Sequence, residues 1–219
     1  MKNRPEHGVG VANRKAAAVL PLLTDLIFVC IAAYLILSYV RAMFVYSASS
    51  LFLIRYTFFL AFTLSALILL AVRRRATAFA SRKTDFVYTV IGFSAPVFFQ
   101  FTPYAGSVFA GVPLELIGLT LVVTALLSLN RSFGLAPENR GVKIGGVYRL
   151  VRHPMYLGYI LSELGFVFDN FSNYNLLVFF ISVLFLVMRL RAEERLLRED
   201  PAYRKYAAST RWRLLPLVY

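Results

Sequence analysis

Two polar segments contain most of the side chains that could do chemistry in this sequence. In the first, Arg152 and His153 stand directly before Pro154. Proline suits the first position of a helix and restrains the residue before it, so we predict that His153 lies at a helix N-cap. The free N–H groups and the dipole of that helix end, together with the two basic side chains, would favour a bound carboxylate or phosphate.

The helix that begins at Pro154 has further polar groups on one face. Tyr156, Tyr159 and Glu163 are spaced i, i+3 and i+7, so they share that face. Glu163 would lie at membrane depth, where an ionisable side chain is a functional candidate. The same carboxyl could equally make a hydrogen bond between two helices.

The second polar segment has Arg189 followed by Glu193 and Glu194. A basic helix end beside two acidic side chains could hold a zwitterionic ligand. Its carboxylate would lie at Arg152 and His153, and its ammonium or hydroxyl groups at one of the glutamates. Because Arg189 and Glu193 are spaced i, i+4, a salt bridge on a solvated helix explains the same pattern.

The composition indicates a membrane protein. The chain of 219 residues is 59% hydrophobic, above the roughly 45 to 50% of soluble domains. Its net charge of +13 comes mostly from four basic blocks between apolar runs, at 2–15, 73–83, 131–152 and 189–213. This distribution is typical of membrane topology, and we expect no nucleic-acid partner. The single cysteine, Cys30, excludes a cysteine metal cluster, and we expect no metal.

The apolar runs predict an all-α, polytopic membrane bundle of about six spans. Crossing roughly 30 Å of hydrocarbon takes on the order of 20 helical residues. The fifth run is short, and it could form a tilted hairpin with the sixth across the turn at 169–173. After the sixth, we predict a break and a new helix at Pro201 with Asp200 as its N-cap. The predicted spans are 19–40, 51–72, 85–101, 108–129, 154–168 and 176–190.

The Lys and Arg distribution predicts the orientation of these spans. Six crossings place all four basic blocks on one side, which the positive-inside rule assigns to the cytoplasm. The loops on the other side, around 46–50, 102–107 and 169–175, contain no Lys or Arg. We therefore expect an integral membrane protein with both termini and both polar segments in the cytoplasm.

The stretch Val151 to Gly158 resembles the RHPxYxG motif of the isoprenylcysteine carboxyl methyltransferases and the related phospholipid methyltransferases. The segment that begins at Arg189, and the tyrosines downstream at 203 to 206, are similar to the RxxxEE segment of these enzymes and its following tyrosines. The resemblance covers about 133–216, and the two motifs stand in the family's order.

This resemblance implies an integral membrane methyltransferase that uses S-adenosyl-L-methionine. The implied acceptor is lipidic or prenylated and reaches the site through the bilayer. Arg152 and Arg189 would orient anionic groups as catalytic residues, and Glu163 would be the base for an amine acceptor. The candidate cofactor-binding residues are Tyr148, His153, Pro154, Tyr156, Gly158, Glu193 and Glu194.

Charge neutralisation favours one acceptor chemistry. Methyl transfer from a sulfonium to a carboxylate removes both charges, so a site with little water favours it and no strong base is needed. We therefore favour carboxylate O-methylation, with amine N-methylation as the alternative. We expect the acceptor to enter through a gap between helices beside Gly158 and Gly165.

The sequence is also consistent with two other classes of protein. A membrane reductase that uses NADPH could place its cofactor at the basic C-terminal end. A transporter or binding protein would be expected to have repeated halves, which this sequence lacks. For the methyltransferase, we divide the chain into a cytoplasmic tail (1–18), four membrane helices (19–130) and a catalytic region (131–219), whose C-terminal helices cap the cofactor site.

Overall fold

The computed structural model describes residues 11–45, 50–80, 82–100 and 111–215. Within these ranges the fold is all-α, as predicted, apart from one pair of two-residue strands, β1 (Ala78–Phe79) and β2 (Glu138–Asn139). Short 3-10 turns lie at Asn130–Ser132 and Gly146–Arg149. The helices are α1 (Val11–Val45), α2 (Ser50–Val72), α3 (Lys83–Phe98), α4 (Gly111–Leu129), α5 (Pro154–Asp169), α6 (Asn173–Leu197) and α7 (Pro201–Ser209).

The two predicted proline-marked helix starts are confirmed. His153 is the N-cap of α5, and Pro154 occupies the start of that helix. The His153 ring makes no capping hydrogen bond, so its nitrogens remain available for other partners. Asp200 is the N-cap of α7, and its side chain accepts a hydrogen bond of 2.8 Å from the backbone N–H of Ala202.

The prediction of six full spans is wrong. Among the described residues, three helical segments are long and apolar enough to cross a bilayer: Val19–Arg41, Gly111–Ser132 and Asn173–Leu197. Helices α3 and α5 have 16 residues each, so they rise about 24 Å, less than the roughly 30 Å hydrocarbon layer. The shorter apolar segment Thr57–Val72 belongs to α2. Residues 101 and 108–110 of the predicted spans lie outside the described residues.

The outer surfaces of the helices remain apolar. Large hydrophobic side chains on the candidate spans are exposed and would contact lipid, because a soluble protein rarely leaves so much apolar surface uncovered. The protein is therefore an integral membrane protein. Examples of these side chains, with their exposed fractions, are Leu22 at 65%, Leu37 at 64%, Ile117 at 59%, Leu127 at 62% and Phe180 at 60%.

Contacts between loops bring the ends of α2, α4 and α6 and the starts of α3 and α5 together at one end of the bundle. Strands β1 and β2 join the loop after α2 to the loop after α4. Arg195 near the end of α6 donates a hydrogen bond of 2.8 Å to Asp85 at the start of α3. Arg73 after α2 likewise pairs with Asp25 of α1. We call the residues 73–80, 130–153 and 190–215 the polar end.

At the opposite end of the bundle, Asn175 connects the residues after α3 to the turn between α5 and α6. The Asn175 side chain accepts a hydrogen bond of 3.0 Å from the Gln100 backbone N–H and donates one of 2.8 Å to the Gln100 carbonyl. It also donates to the carbonyl of Asn170, at 2.6 Å. The predicted turn between α5 and α6 is therefore present, and the two helices form a hairpin.

Helix α5 nevertheless packs most extensively on α4, through glycines. A Cβ atom on Gly158 would lie 2.7 Å from the carbonyl oxygen of Gly118, and one on Gly165 would lie 2.6 Å from that of Gly111. The two backbones are in direct contact there, as small residues permit in membrane helices. The expected gap beside Gly158 and Gly165 is therefore closed, and that prediction is wrong.

One hydrophobic cluster runs from the membrane helices into the polar end. It includes Phe28 of α1, Leu69 of α2 and Leu126 of α4, and it continues to Tyr148 and Tyr203. Because these side chains pack as one cluster, the polar end is held against the helices and can form a defined site.

Candidate active site

The segment before α5 is held in place by the C-terminal region. The backbone N–H groups of Arg152 and His153 donate to the carbonyls of Trp212 and Arg213, both at 2.9 Å. The Arg152 guanidinium also donates to the carbonyl of Ala207, at 3.2 Å. These bonds fix the first turn of α5 relative to α7 and the residues that follow it.

Glu194 is the centre of a buried ionic cluster. The residue is 4% exposed, and both of its carboxylate oxygens have partners from other segments of the polar end. A carboxylate with this many partners is suited to orienting the side chains around it. Its partners are Arg152 and His153 at 3.0 Å, Tyr203 at 2.7 Å, Arg198 at 3.2 Å and Arg213 at 3.6 Å.

Glu193 faces a different environment from its neighbour. Its carboxylate accepts a hydrogen bond of 2.6 Å from the Tyr156 hydroxyl. The guanidinium of Arg189 lies 5.1 Å from the centre of the Tyr156 ring and donates a hydrogen bond of 2.6 Å to the carbonyl of Leu135. Arg189 therefore fixes the Tyr156 ring against the loop after α4.

Strand β2 brings a second acidic side chain to the site. Arg140 donates a hydrogen bond of 2.7 Å to one oxygen of Glu138. The other oxygen is buried and has no hydrogen-bond partner among the described residues. Burial raises the pKa of Glu138, and the charge of Arg140 opposes that effect. Asn139 donates to Asp200, at 2.8 Å, which connects the strand to the start of α7.

Three buried tyrosines surround the same space. The Tyr206 hydroxyl donates to the carbonyl of Tyr148, at 2.7 Å. Burial raises the pKa of Tyr206 to about 12. It also raises the pKa of Tyr148 and Tyr203 well above the ordinary value, with nearby glutamates as the next cause. All three hydroxyls therefore stay protonated at neutral pH and can donate hydrogen bonds.

These residues enclose a cavity at the polar end. The space between these residues, including its open mouth to solvent, is about 680 Å³. The predicted site residues that line it are Tyr148, Arg152, His153, Tyr156 and Glu193. The structure thus brings together half of the predicted site.

The other predicted site residues lie outside the lining of this cavity. Gly158 packs against α4, which does not support its predicted cofactor contact. Glu163 accepts a hydrogen bond of 2.9 Å from Ser182 of α6 and is 8% exposed. Pro154 is buried at the start of α5. Arg189 lies over the Tyr156 ring and Glu194 pairs with His153, so these two residues orient side chains of the lining.

Several lining residues are absent from the sequence-based site. They are Glu138, Arg140, Lys143, Tyr203 and Tyr206. In the sequence, the first three belong to a polar run in the glycine-rich segment that precedes α5. The two tyrosines belong to the downstream tyrosine pattern of the resemblance. Neither signal indicates by itself that these residues share a cavity with Tyr156.

The fold and the cavity define a class: a helical integral membrane protein with a polar cavity at one end of its bundle. Residues 107–205 match the family model of the phospholipid methyltransferases. This segment belongs to that family, whose members are membrane methyltransferases and which is part of the superfamily that includes the isoprenylcysteine carboxyl methyltransferases. Methyltransferases of this family use S-adenosyl-L-methionine. No curated protein matches the chain.

The matched segment is longer at its N-terminal side than the resemblance seen in the sequence. It begins at residue 107 and so includes α4, which lies before the predicted catalytic region. Helix α4 is the main packing partner of α5. The family match therefore covers the glycine contact between the two helices as well as most of the cavity.

The cavity suits S-adenosyl-L-methionine chemically. The ligand has a carboxylate, an ammonium, ribose hydroxyls and an adenine ring. The first turn of α5 with Arg152 suits the carboxylate. The carboxylates of Glu138 and Glu193 suit the ammonium and hydroxyl groups, since one Glu138 oxygen is buried without a hydrogen-bond donor among the described residues. Tyrosine rings such as Tyr203 offer flat surfaces for a base.

Proposed function

We propose that this enzyme transfers the methyl group of S-adenosyl-L-methionine to the head group of a phospholipid-type acceptor at the cavity of the polar end. The observation that carries the proposal is the position of the Tyr156–Glu193 pair. It lines a cavity at the start of α5, inside the segment that matches the phospholipid methyltransferases. A lipid acceptor is already in the bilayer beside this site.

In the proposed site, different residues of the lining bind different groups of the ligand. The N-terminal turn of α5 and Arg152 hold an anionic group. Glu193 and Glu138 accept hydrogen bonds from cationic or hydroxyl groups. Tyr148, Tyr203 and Tyr206 exclude water. The Tyr148 hydroxyl can donate a hydrogen bond to the ligand, because those of Tyr203 and Tyr206 already donate to Glu194 and to the Tyr148 carbonyl. Arg189 and Glu194 are positioning residues, because they act on Tyr156 and His153.

The chemistry needs alignment more than acid–base catalysis. When bound, S-adenosyl-L-methionine supplies an electrophilic methyl group on a sulfonium. The acceptor atom forms the new bond to carbon as the sulfur–carbon bond breaks, and that electron pair stays on sulfur. A rigid site that aligns the two atoms lowers the barrier. Exclusion of water by the buried tyrosines favours the loss of charge in the reaction.

The acceptor atom decides whether a base is needed. A carboxylate oxygen reacts without losing a proton, and we propose this reaction as the favoured one. An amine nitrogen must lose a proton to a nearby group, for which Glu193 and Glu163 are the candidates. The two products differ chemically, since a methyl ester is cleaved by mild base and an N-methyl group is stable.

Calorimetry of the detergent-purified protein tests the cofactor. We expect S-adenosylhomocysteine to bind and NADPH not to bind. Binding of NADPH alone would instead favour a membrane reductase, the alternative that the basic C-terminal end left open. A protein that binds neither S-adenosylhomocysteine nor NADPH would contradict the proposed site.

A second assay tests the acceptor. The protein is incubated with methyl-labelled S-adenosyl-L-methionine and vesicles of total membrane lipid, and the lipid fraction is extracted. We expect label in the lipid, released as methanol by mild base if the acceptor is a carboxylate. Label that resists base would establish N-methylation. Label found only in water-soluble products would contradict a lipid acceptor.

A further inference from the structure

The segment 141–150 forms one wall of the cavity and has two different faces. Val142, Lys143 and Tyr148 line the cavity. Ile144 and Leu150 point away from it and are 61% and 69% exposed. The outer face of the wall therefore has two exposed apolar side chains, whose contact with lipid would be favourable.

The wall lies beside the end of a candidate membrane span. The 3-10 turn Gly146–Arg149 packs against α4. A Cβ atom on Gly146 would lie 2.6 Å from the hydroxyl of Ser128, within the last residues of the candidate span Gly111–Ser132. The neighbouring Leu127 is 62% exposed. The outer face of the wall therefore continues the lipid-facing surface of α4.

Charge at this level suits lipid head groups. Arg149 is exposed next to Leu150, and Arg131 is exposed at the end of α4. Basic side chains beside apolar ones at a membrane boundary favour anionic head groups. Two cations beside exposed apolar side chains suit an anionic lipid surface better than a purely apolar protein partner.

We propose that the wall 141–150 rests in the head-group layer of the bilayer and forms the entrance through which the lipid acceptor reaches the cavity. This inference rests on the proposed function, which supplies the lipid acceptor. This entrance takes the place of the predicted gap between α4 and α5, which is closed in the structure. The acyl chains stay beside α4, and the head group passes the turn that holds Tyr148.

A fluorescence experiment tests the membrane contact without any turnover. Leu150→Cys, in a Cys30→Ala background, is labelled with a bimane fluorophore, and the protein is reconstituted into phosphatidylglycerol vesicles with brominated acyl chains. Arg204→Cys, at an exposed position on α7, is the matched control. We expect brominated lipid to quench the probe at 150 and aqueous iodide to quench the probe at 204. Quenching at 150 by iodide alone would overturn the proposal.

A kinetic experiment tests the entrance. The variant Ile144→Ser/Leu150→Ser is compared with Leu215→Ser, which changes another exposed apolar residue of the polar end, 45% exposed. We expect the KM for vesicle lipid to rise about tenfold in the double variant alone, with the affinity for S-adenosylhomocysteine unchanged. An unchanged KM would overturn the entrance.

The two experiments separate this inference from the proposed function. If the wild-type protein binds no S-adenosylhomocysteine and methylates no lipid, the proposed function fails and the entrance fails with it. The membrane contact of 141–150 is still decided by the bromolipid result. If the wild-type protein is active and the double variant behaves like Leu215→Ser, the proposed function stands and the entrance is wrong.

Discussion

Two adjacent glutamates at the end of α6 have different surroundings. Glu194 has five partners and lies outside the lining of the cavity, whereas Glu193 lines it and has the Tyr156 hydroxyl as a partner. Neighbouring residues on a helix point about 100° apart, so adjacent side chains contact different parts of the protein. We therefore expect the first glutamate to contact ligand and the second to hold the structure together.

Paired substitutions test this division. Glu193→Gln removes a carboxylate from the cavity, so we expect about tenfold weaker binding of S-adenosylhomocysteine and nearly unchanged stability. Glu194→Gln leaves the buried Arg152 without its counter-charge, so we expect about 3 kcal/mol of lost stability. Calorimetry and thermal unfolding in detergent measure the two effects. The reverse pattern would exchange the two roles.

Glu163 tests the chemistry of the acceptor. A carboxylate acceptor needs no base, so we expect Glu163→Gln to keep kcat within about twofold. Ser182→Ala removes the hydrogen bond between α5 and α6 and is the control for a structural effect. A fall in kcat of about a hundredfold or more in Glu163→Gln alone, with cofactor affinity unchanged, would identify this residue as the base for an amine.

The buried tyrosines predict how stability depends on pH. The folded-state pKa of Tyr206 is raised to about 12 from 10.0. Its contribution is therefore complete below pH 10 and is lost as the pH rises towards 12. Tyr148 and Tyr203 act in the same direction. We expect Tyr206→Phe to flatten the alkaline loss of thermal stability. Tyr174→Phe, at the opposite end of the bundle, is the control and should leave the profile unchanged.

At the scale of elements, the contact between α4 and α5 depends on backbone approach. Glycines on both helices face each other, so no side chain separates the two backbones. The start of α5 forms part of the cavity, and α4 ends beside the wall 141–150. The contact therefore sets the position of the site relative to the membrane.

Enlarging one of these glycines should disrupt the fold. A Cβ atom on Gly158 would lie 2.6 Å from Val122 and 2.7 Å from the Gly118 carbonyl, so we expect Gly158→Ala to cost about 1–3 kcal/mol. Gly158→Leu should prevent folding and abolish cofactor binding and turnover together. Gly145→Ala is the control, because no atom lies within 4 Å of its added Cβ. Size-exclusion chromatography and thermal unfolding measure both. A folded Gly158→Leu that binds S-adenosylhomocysteine would contradict this packing.

Helix length separates two groups within the bundle. The three candidate spans belong to α1, α4 and α6, whereas α3 and α5 have only 16 residues each. A helix that is too short to cross the bilayer places its polar loop at membrane depth. Such a loop is tolerated only where protein surrounds it. The hydrogen bonds of Asn175 provide such surroundings at the end opposite the cavity.

At the scale of the whole molecule, the basic loops that the structure describes lie at one end. The positive-inside rule assigns this end to the cytoplasm, which stays a prediction. In a Cys30→Ala background, we expect Arg204→Cys to react with a membrane-impermeant thiol reagent only from the cytoplasmic side. Phe171→Cys, 57% exposed at the opposite end, should react only from outside. The opposite labelling of this pair would reverse the orientation.

The sequence by itself determined the local features of this protein. Prolines marked the starts of α5 and α7, and apolar runs located six helices near their observed bounds, because capping and hydropathy act within a few residues. The motif at 151–158 also identified the family. The number of full spans could not be predicted from the sequence, because composition indicates apolar segments but not where each helix ends in the bilayer.

Only the tertiary structure decided which side chains form the cavity. Glu138 joins it because β2 pairs with β1, about 60 residues earlier in the chain. Gly158 lies outside the cavity because its face packs on α4, and of the two predicted glutamates only Glu193 lines the cavity, because neighbouring residues of α6 face different directions. Each outcome depends on contacts between segments far apart in sequence, whose packing angles and rotations are set by the whole bundle and not by local residue pattern.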